Sequence, residues 1–282
     1  MFAPSHRLRV PLLTVLAMLA FAGNSLLCRV ALRDTTIDAA SFTAIRLASG
    51  ALLLVLLLRL RGRRPTAGGS WPMAAMLFAY AALFSFAYRD LTAATGALML
   101  FGAVQLTMSA WGLWQGERLA GLRLLGLAIA VAGLVGLLLP GLEAPPPLAA
   151  CLMLGAGFSW GIYSLLGRGA GEPVAATGGN FVRSVAFAAV LVLAAAGQQR
   201  MDPMGTAYAV VSGAVTSGLG YVLWYAALPA LAATSAATVQ LSVPAIAALG
   251  GAVLLAEPLT PRLLLASAAI LGGIALTIRK KA

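Results

Sequence analysis

The sequence predicts an all-α integral membrane protein of ten transmembrane helices, arranged as two inverted five-helix repeats with both termini cytoplasmic. Three observations carry this. Hydrophobic residues fill 61% of the 282 positions and charged residues only 10%, far from the balance of a soluble domain. The apolar residues fall into blocks of roughly 18 to 23, the length a helix rising about 1.5 Å per residue needs to cross the hydrocarbon. Much of the first half's pattern also returns in the second, about 140 positions later.

The blocks run 10–29, 39–58, 71–88, 92–114 and 121–139, then 148–166, 174–196, 204–226, 231–253 and 261–278. The first, with its basic flank and Ala20-Phe21-Ala22, imitates a cleaved signal peptide. Its internal counterpart argues for a retained helix: Phe21, Asn24 and the second block's Arg46 are matched by Phe158, Gly161 and Arg183. The fourth block opens with Leu91-Thr92-Ala93-Ala94-Thr95-Gly96-Ala97 and ends at Gly116-Glu117-Arg118-Leu119. The ninth opens with Leu231-Ala232-Ala233-Thr234-Ser235-Ala236-Ala237 and ends at Ala256-Glu257-Pro258-Leu259. In the fifth and tenth, Gly126, Gly133, Gly136, Gly272 and Gly273 offer close helix approach. Connections are short and rich in Gly or Pro, which divides the chain into repeats at 1–142 and 143–282 and leaves no room for a soluble domain.

Five helices per repeat is an odd number, so the second repeat starts from the opposite side of the membrane. Inverted repeats of this kind place a substrate site near midplane between them. The net charge of +11 is sorted by side rather than gathered for nucleic acid. With an inner N-terminus, Arg7, Arg9, Arg59, Arg61, Arg63, Arg64 and the terminal Arg279-Lys280-Lys281 all fall inside, and the outer segments are nearly balanced by Asp34, Asp38, Asp90, Glu143, Asp202 and Glu257.

With these residues in view, the chain resembles the drug/metabolite transporter superfamily, of the ten-helix EamA type. The resemblance rests on Phe21-Ala22-Gly23-Asn24, Ala44-Ile45-Arg46-Leu47, Phe181-Val182-Arg183, Leu241-Ser242-Val243-Pro244 and the two glutamate-bearing helix ends. The aromatic content of helices 3, 6 and 8 is most similar to aromatic amino-acid exporters of the YddG type, which implies an inner-membrane exporter. One departure is that Val104 stands where the resemblance implies a proline in helix 4, while Pro244 keeps its place in helix 9.

Candidate substrate-binding residues follow from spacing. Trp160 and Tyr163 share a face of helix 6, Tyr221 and Trp224 a face of helix 8, and Tyr80 and Phe84 a face of helix 3. Tyr88 and Tyr225, nearer the helix ends, read as interfacial belt residues. Among the few deep polar side chains, Asn24 and Gln240 are expected to meet an ammonium or carboxylate. Pro244 lacks an N–H and releases the carbonyl near Gln240, marking a kink that faces the substrate path or serves packing alone. Arg46 and Arg183 sit at equivalent depths from opposite sides, and a structural role, snorkelling and capping neighbouring carbonyls, is expected of both.

Near the middle of the ten blocks there is no Asp, Glu or His. Proton relays and intramembrane catalysis both use such groups, so a facilitator or exchanger is expected rather than an enzyme, and nothing implies a cofactor or a metal. The expected partners are a small-molecule substrate and membrane lipid, with no nucleic acid and no obligate protein partner. The cargo read from rings and amides is a small neutral or zwitterionic metabolite, an aromatic or large apolar amino acid first of all. A lipophilic cation held by ring faces and a non-transporting membrane scaffold are the alternatives.

Overall fold

The computed structural model describes residues 6–64, 68–116, 121–141, 143–167, 172–227, 230–231 and 239–278. Among them all regular structure is helical. The helices are α1 (His6–Asp34), α2 (Ala39–Leu60), α3 (Trp71–Ala87), α4 (Ala93–Trp114), α5 (Leu122–Leu138), α6 (Pro147–Gly167), α7 (Pro173–Ala194), α8 (Pro203–Ala227), α9 (Ser242–Leu255) and α10 (Pro261–Ile278). Six of the ten, α1, α2, α4, α6, α7 and α8, are long and apolar enough to cross a membrane. The expected blocks match these helices closely, except that the ninth opens with residues 232–238, which lie outside the described residues. Glu117, Arg118 and Leu119 of the first glutamate-bearing motif lie outside them as well.

Local chemistry fixes the helix starts. Asp38, Ser70, Thr92, Glu172 and Asp202 each accept a backbone N–H as N-cap of the helix that follows, and Pro72, Pro173 and Pro203 sit in first turns, where a missing N–H costs nothing. Two caps also clasp loops together. Asp38 N–H donates to the Arg200 carbonyl at 3.0 Å, and Arg200 N–H returns a bond to Asp38 Oδ2 at 2.8 Å. Thr36 N–H donates to Asp202 Oδ2 at 3.1 Å. Burial would raise the Asp38 carboxyl, but the donors from Ser41, Arg200 and Ala40 outweigh it and hold the group below the ordinary range. The Gly205 N–H does the same for Asp202.

Helices pair as α1 with α8 and α9, α2 with α7 and α8, α3 with α6, α4 with α6 and α9, and α5 with α10. Glycine sets the closest approaches. A Cβ on Gly126 would lie 2.5 Å from the Gly273 carbonyl, a Cβ on Gly273 as close to that of Gly126, and one on Gly133 would press on Ala269. Gly136 and Gly272 have nothing within 4 Å of a built Cβ, so the close-approach role expected of those two is corrected: they face away from the α5–α10 seam.

Two helices are irregular. Within α8, Ser212–Leu219 is π-helical. At the ninth helix, Val239 and Gln240 are helical, Leu241 forms a turn, and α9 restarts at Ser242. Pro244 therefore sits in the first turn of a new helical segment, where proline is tolerated. The Ser242 hydroxyl donates to the Val239 carbonyl at 2.6 Å across the break. By contrast, α4 runs unbroken through Val104, as its missing proline leads one to expect.

Candidate substrate site

The centre of the bundle is a closed group of rings. Phe21 of α1 meets Trp160, Tyr221 and Trp224 edge-on at centroid distances of 6.3, 5.9 and 6.1 Å. Trp160 lies 4.9 Å from Tyr80 and 4.9 Å from Tyr221, and stacks on Tyr163 at 5.4 Å. Tyr80 continues to Phe84 at 5.3 Å. Phe21, Asn24 and Ser25 from α1, Tyr80 and Phe84 from α3, Leu100 and Phe101 from α4, Trp160 from α6 and Tyr221 from α8 surround a cavity of about 20 Å³. That holds roughly one water molecule, so the rings must part to admit a solute.

A polar network runs through the rings. Tyr80 hydroxyl accepts from Asn24 Nδ2 at 3.2 Å and from Arg46 Nη2 at 3.1 Å. Asn24 Oδ1 accepts from the Ser212 hydroxyl at 2.7 Å, with the Thr216 hydroxyl 3.4 Å away and donating mainly to the Ser212 carbonyl at 2.9 Å, and Arg46 Nε donates to Ser217 Oγ at 3.1 Å. The π-helical stretch makes this possible. Its wider turn brings both the fourth and the fifth residue after Ser212 back to the inner face, where an α-helix would return only the fourth. A Tyr80→Phe variant removes the one acceptor shared by two buried donors. It is expected to cost about 1–3 kcal/mol for each donor left unpaired, read as a lowered unfolding temperature in detergent.

Seven of the eight expected binding residues come together here: Asn24, Tyr80, Phe84, Trp160, Tyr163, Tyr221 and Trp224 are all buried. Gln240 is half-buried and does not line this cavity. Tyr163 closes the cluster on one side, where its hydroxyl accepts from Asn180 Nδ2 at 3.3 Å. The two arginines differ. Arg183 Nη1 donates to the carbonyl of Gly68, in the loop before α3, at 2.8 Å and to that of Gly179 in its own helix at 2.9 Å, not to a neighbouring helix. Arg46 neither snorkels nor caps a carbonyl. It is 1% exposed, and its guanidinium carbon stands 5.2 and 5.0 Å from the ring centroids of Tyr80 and Phe84.

Tyr88 corrects the belt reading. It is fully buried, with its hydroxyl donating to the Ala93 carbonyl at 3.2 Å and its ring against Gly96, because the start of α4 covers the end of α3. Tyr225 is half-buried and, with Tyr163 and Asn180, lines a second small cavity of about 30 Å³. Sequence reasoning missed Phe21 as a ring of the site, and missed Ser212, Thr216 and Ser217. The available signal was a run of small hydroxyl residues within an apolar helix. A larger cavity of about 460 Å³ opens between the start of α1 and α9. Among the described residues its two lining hydroxyls are already bonded, Thr14 to the Val10 carbonyl of α1 and Ser242 to the Val239 carbonyl across the break.

Above the ring cluster, Glu257 joins four helix ends. Its Oε1 accepts from Arg29 Nε at 2.8 Å and its Oε2 from Ala93 N–H, at the start of α4, at 2.7 Å. Arg29 Nη1 also donates to the carbonyls of Tyr88 at 3.0 Å and Arg89 at 2.8 Å. Ala256, in the left-handed region at φ 50°, ends α9 and sends Glu257 N–H back to the Gly251 carbonyl.

Ten apolar helices enclosing a polar and aromatic centre make this a multi-pass membrane protein. The profile of the EamA-like transporter family matches residues 147–279. An uncharacterized protein of Pseudomonas aeruginosa is 62% identical over 96% of this chain and 94% of its own length. The threonine/homoserine exporter RhtA of Escherichia coli K12 is 35% identical over 46% of each chain. A solved crystal structure, described only as that of a protein, superimposes with a TM-score of 0.66 at 18% identity, covering 95% of this chain and 96% of its own. The match over residues 147–279 and the likeness to RhtA support membership of the drug/metabolite transporter superfamily, with an EamA-like second half.

Proposed function

We propose that this transporter exports small neutral or zwitterionic metabolites, aromatic or large apolar amino acids first, by alternating access through the ring-lined centre. The observation that carries the reading is the central cavity itself: it is lined mostly by rings, with the Asn24 amide among them and the Arg46 guanidinium behind Tyr80 and Phe84, and among the described residues the only buried acid is Glu257, which Arg29 already engages. A lipophilic cation would meet Arg46 there without a counter-carboxylate. RhtA is named for threonine and homoserine, which favours amino acids as the class and puts the polar ones into the test.

The scheme uses two repeats related by inversion, at 1–142 and 143–282, and the helix pairings support it. Exchanging each helix for the one five places away turns α1–α8 into α6–α3 and α1–α9 into α6–α4, and leaves α2–α7, α4–α9 and α5–α10 unchanged. The caps follow suit, Asp38 with Glu172 and Ser70 with Asp202. The charge bias supports cytoplasmic termini, in an inner membrane on this reading. In this scheme the break before Pro244 is the hinge of the ninth helix, Arg183 is a structural cap, and Asn24, Tyr80, Phe84, Trp160, Tyr163, Tyr221, Trp224 and Gln240 contact or border the solute path.

Counterflow of labelled phenylalanine, tryptophan and threonine into proteoliposomes tests this, with and without a pH gradient. Exchange of phenylalanine and tryptophan that ignores the gradient is the expected result. Exchange of threonine alone would move the cargo to polar amino acids, and accumulation driven by the gradient would end the facilitator reading.

A further inference from the structure

The centre of the bundle has more donors than acceptors. Arg46 Nη1 and the Tyr221 hydroxyl are both buried and have no hydrogen-bond partner among the described residues. The acceptors around them already serve other donors: the Tyr80 oxygen takes Asn24 and Arg46, and Asn24 Oδ1 takes Ser212. The buried acid Glu257 is committed to Arg29 and Ala93. A guanidinium that is 1% exposed within an apolar bundle thus has no counter-ion there. Burying an unpaired charge is costly, and such groups in membranes pair with one another or mark a substrate path. Tyr221 lines the central cavity, and the Tyr80 and Phe84 rings that carry the Arg46 guanidinium line it too.

We propose that Arg46 and Tyr221 form a carboxylate-binding subsite, and that the transporter requires a carboxylate on its cargo. This rests on the reading of the central cavity as the solute site. A carboxylate offers the two acceptor oxygens that the unpaired N–H and O–H groups lack, and neutralises Arg46. When the solute is a zwitterion, its ammonium turns to the faces of Trp160, Phe21 and Tyr221 rather than to an acid. A solute with an ammonium and no carboxylate keeps those ring faces but leaves Arg46 without a counter-charge and adds a like charge beside it.

The test uses three compounds that share one ring: phenylalanine, 3-phenylpropionate without the ammonium, and 2-phenylethylamine without the carboxylate. Each is titrated against the purified carrier in detergent, and the rise in unfolding temperature gives its affinity. Phenylalanine and 3-phenylpropionate are expected to stabilise the protein and 2-phenylethylamine to leave it unchanged. Tyr221→Phe, which removes a hydroxyl and no bulk, is expected to weaken both carboxylates roughly tenfold, the worth of one charge-assisted hydrogen bond. Arg46→Lys keeps the charge and loses the fork, and retains carboxylate preference at lower affinity. Stabilisation by 2-phenylethylamine equal to that by phenylalanine, or undiminished binding to Tyr221→Phe, overturns the subsite and leaves the amino-acid reading standing. Response to 3-phenylpropionate alone overturns the amino-acid reading and keeps the subsite. No response to any of the three overturns both.

Discussion

Gly213→Ala is expected to leave little or no monodisperse protein. A Cβ at this position would overlap the Arg46 carbonyl oxygen and the Ser49 hydroxyl. The first is backbone in the middle of α2 and cannot turn aside, so α2 and α8 would have to separate. Overpacking usually costs about 1–3 kcal/mol, and an overlap with backbone belongs at or above the top of that range. The change also strikes the site, because Gly213 adjoins Ser212 and stands four residues before Ser217, which hold Asn24 and Arg46. Size-exclusion profiles of the variant beside the parent give the answer. A sharp peak and an unchanged unfolding temperature would mean that the π-helical turn absorbs the extra methyl group.

Glu257→Ala carries the second large effect. Its side chain and that of Arg29 are 5% and 12% exposed, so the variant leaves Arg29 charged and nearly buried and removes the acceptor of Ala93 N–H. Breaking a buried pair on one side costs about 3–5 kcal/mol. Glu257→Gln keeps an oxygen of the same reach and should lose much less. A double variant, Arg29→Met with Glu257→Leu, should recover part of the loss, since no bare charge remains. Unfolding temperatures of all three check this, and equal losses for Ala and Gln would show that the charge itself contributes little. Since this cluster joins the ends of α1, α3, α4 and α9, the alanine variant should also open that end of the bundle more often, read as faster cysteine labelling of a reporter placed beside Tyr88.

The helices were legible because hydrocarbon thickness sets block length, a constraint local to each block. The ring cluster was legible too, since residues three or four apart must share a helix face, and Tyr80 with Phe84, Trp160 with Tyr163 and Tyr221 with Trp224 obey that rule. What sequence could not supply was direction across helices. Arg46 and Arg183 are equivalent in pattern, but one turns to the centre and the other to a loop carbonyl and a carbonyl of its own helix. The difference lies in Gly68, whose carbonyl reaches Arg183, and in Ser217, which reaches Arg46. Both contacts span more than a hundred residues of chain. Tyr88 was misread for a related reason: its burial depends on the neighbouring start of α4, and its position near a helix end carries no sign of that cover.

The π-helical stretch of α8 has a consequence for how the ring face is encoded. Beyond Leu219 the chain returns to α-helix, and Tyr221 and Trp224 point inward only because the preceding eight residues are wound more loosely. Rewinding that stretch as ordinary α-helix at its full length would turn everything after it by about 100° for each extra residue its wider turns hold, carrying both rings away from the centre with no residue of the site replaced. Part of the specificity is thus stored as a length of chain. Scanning by substitution would pass over it, and a single insertion between positions 212 and 219 would find it.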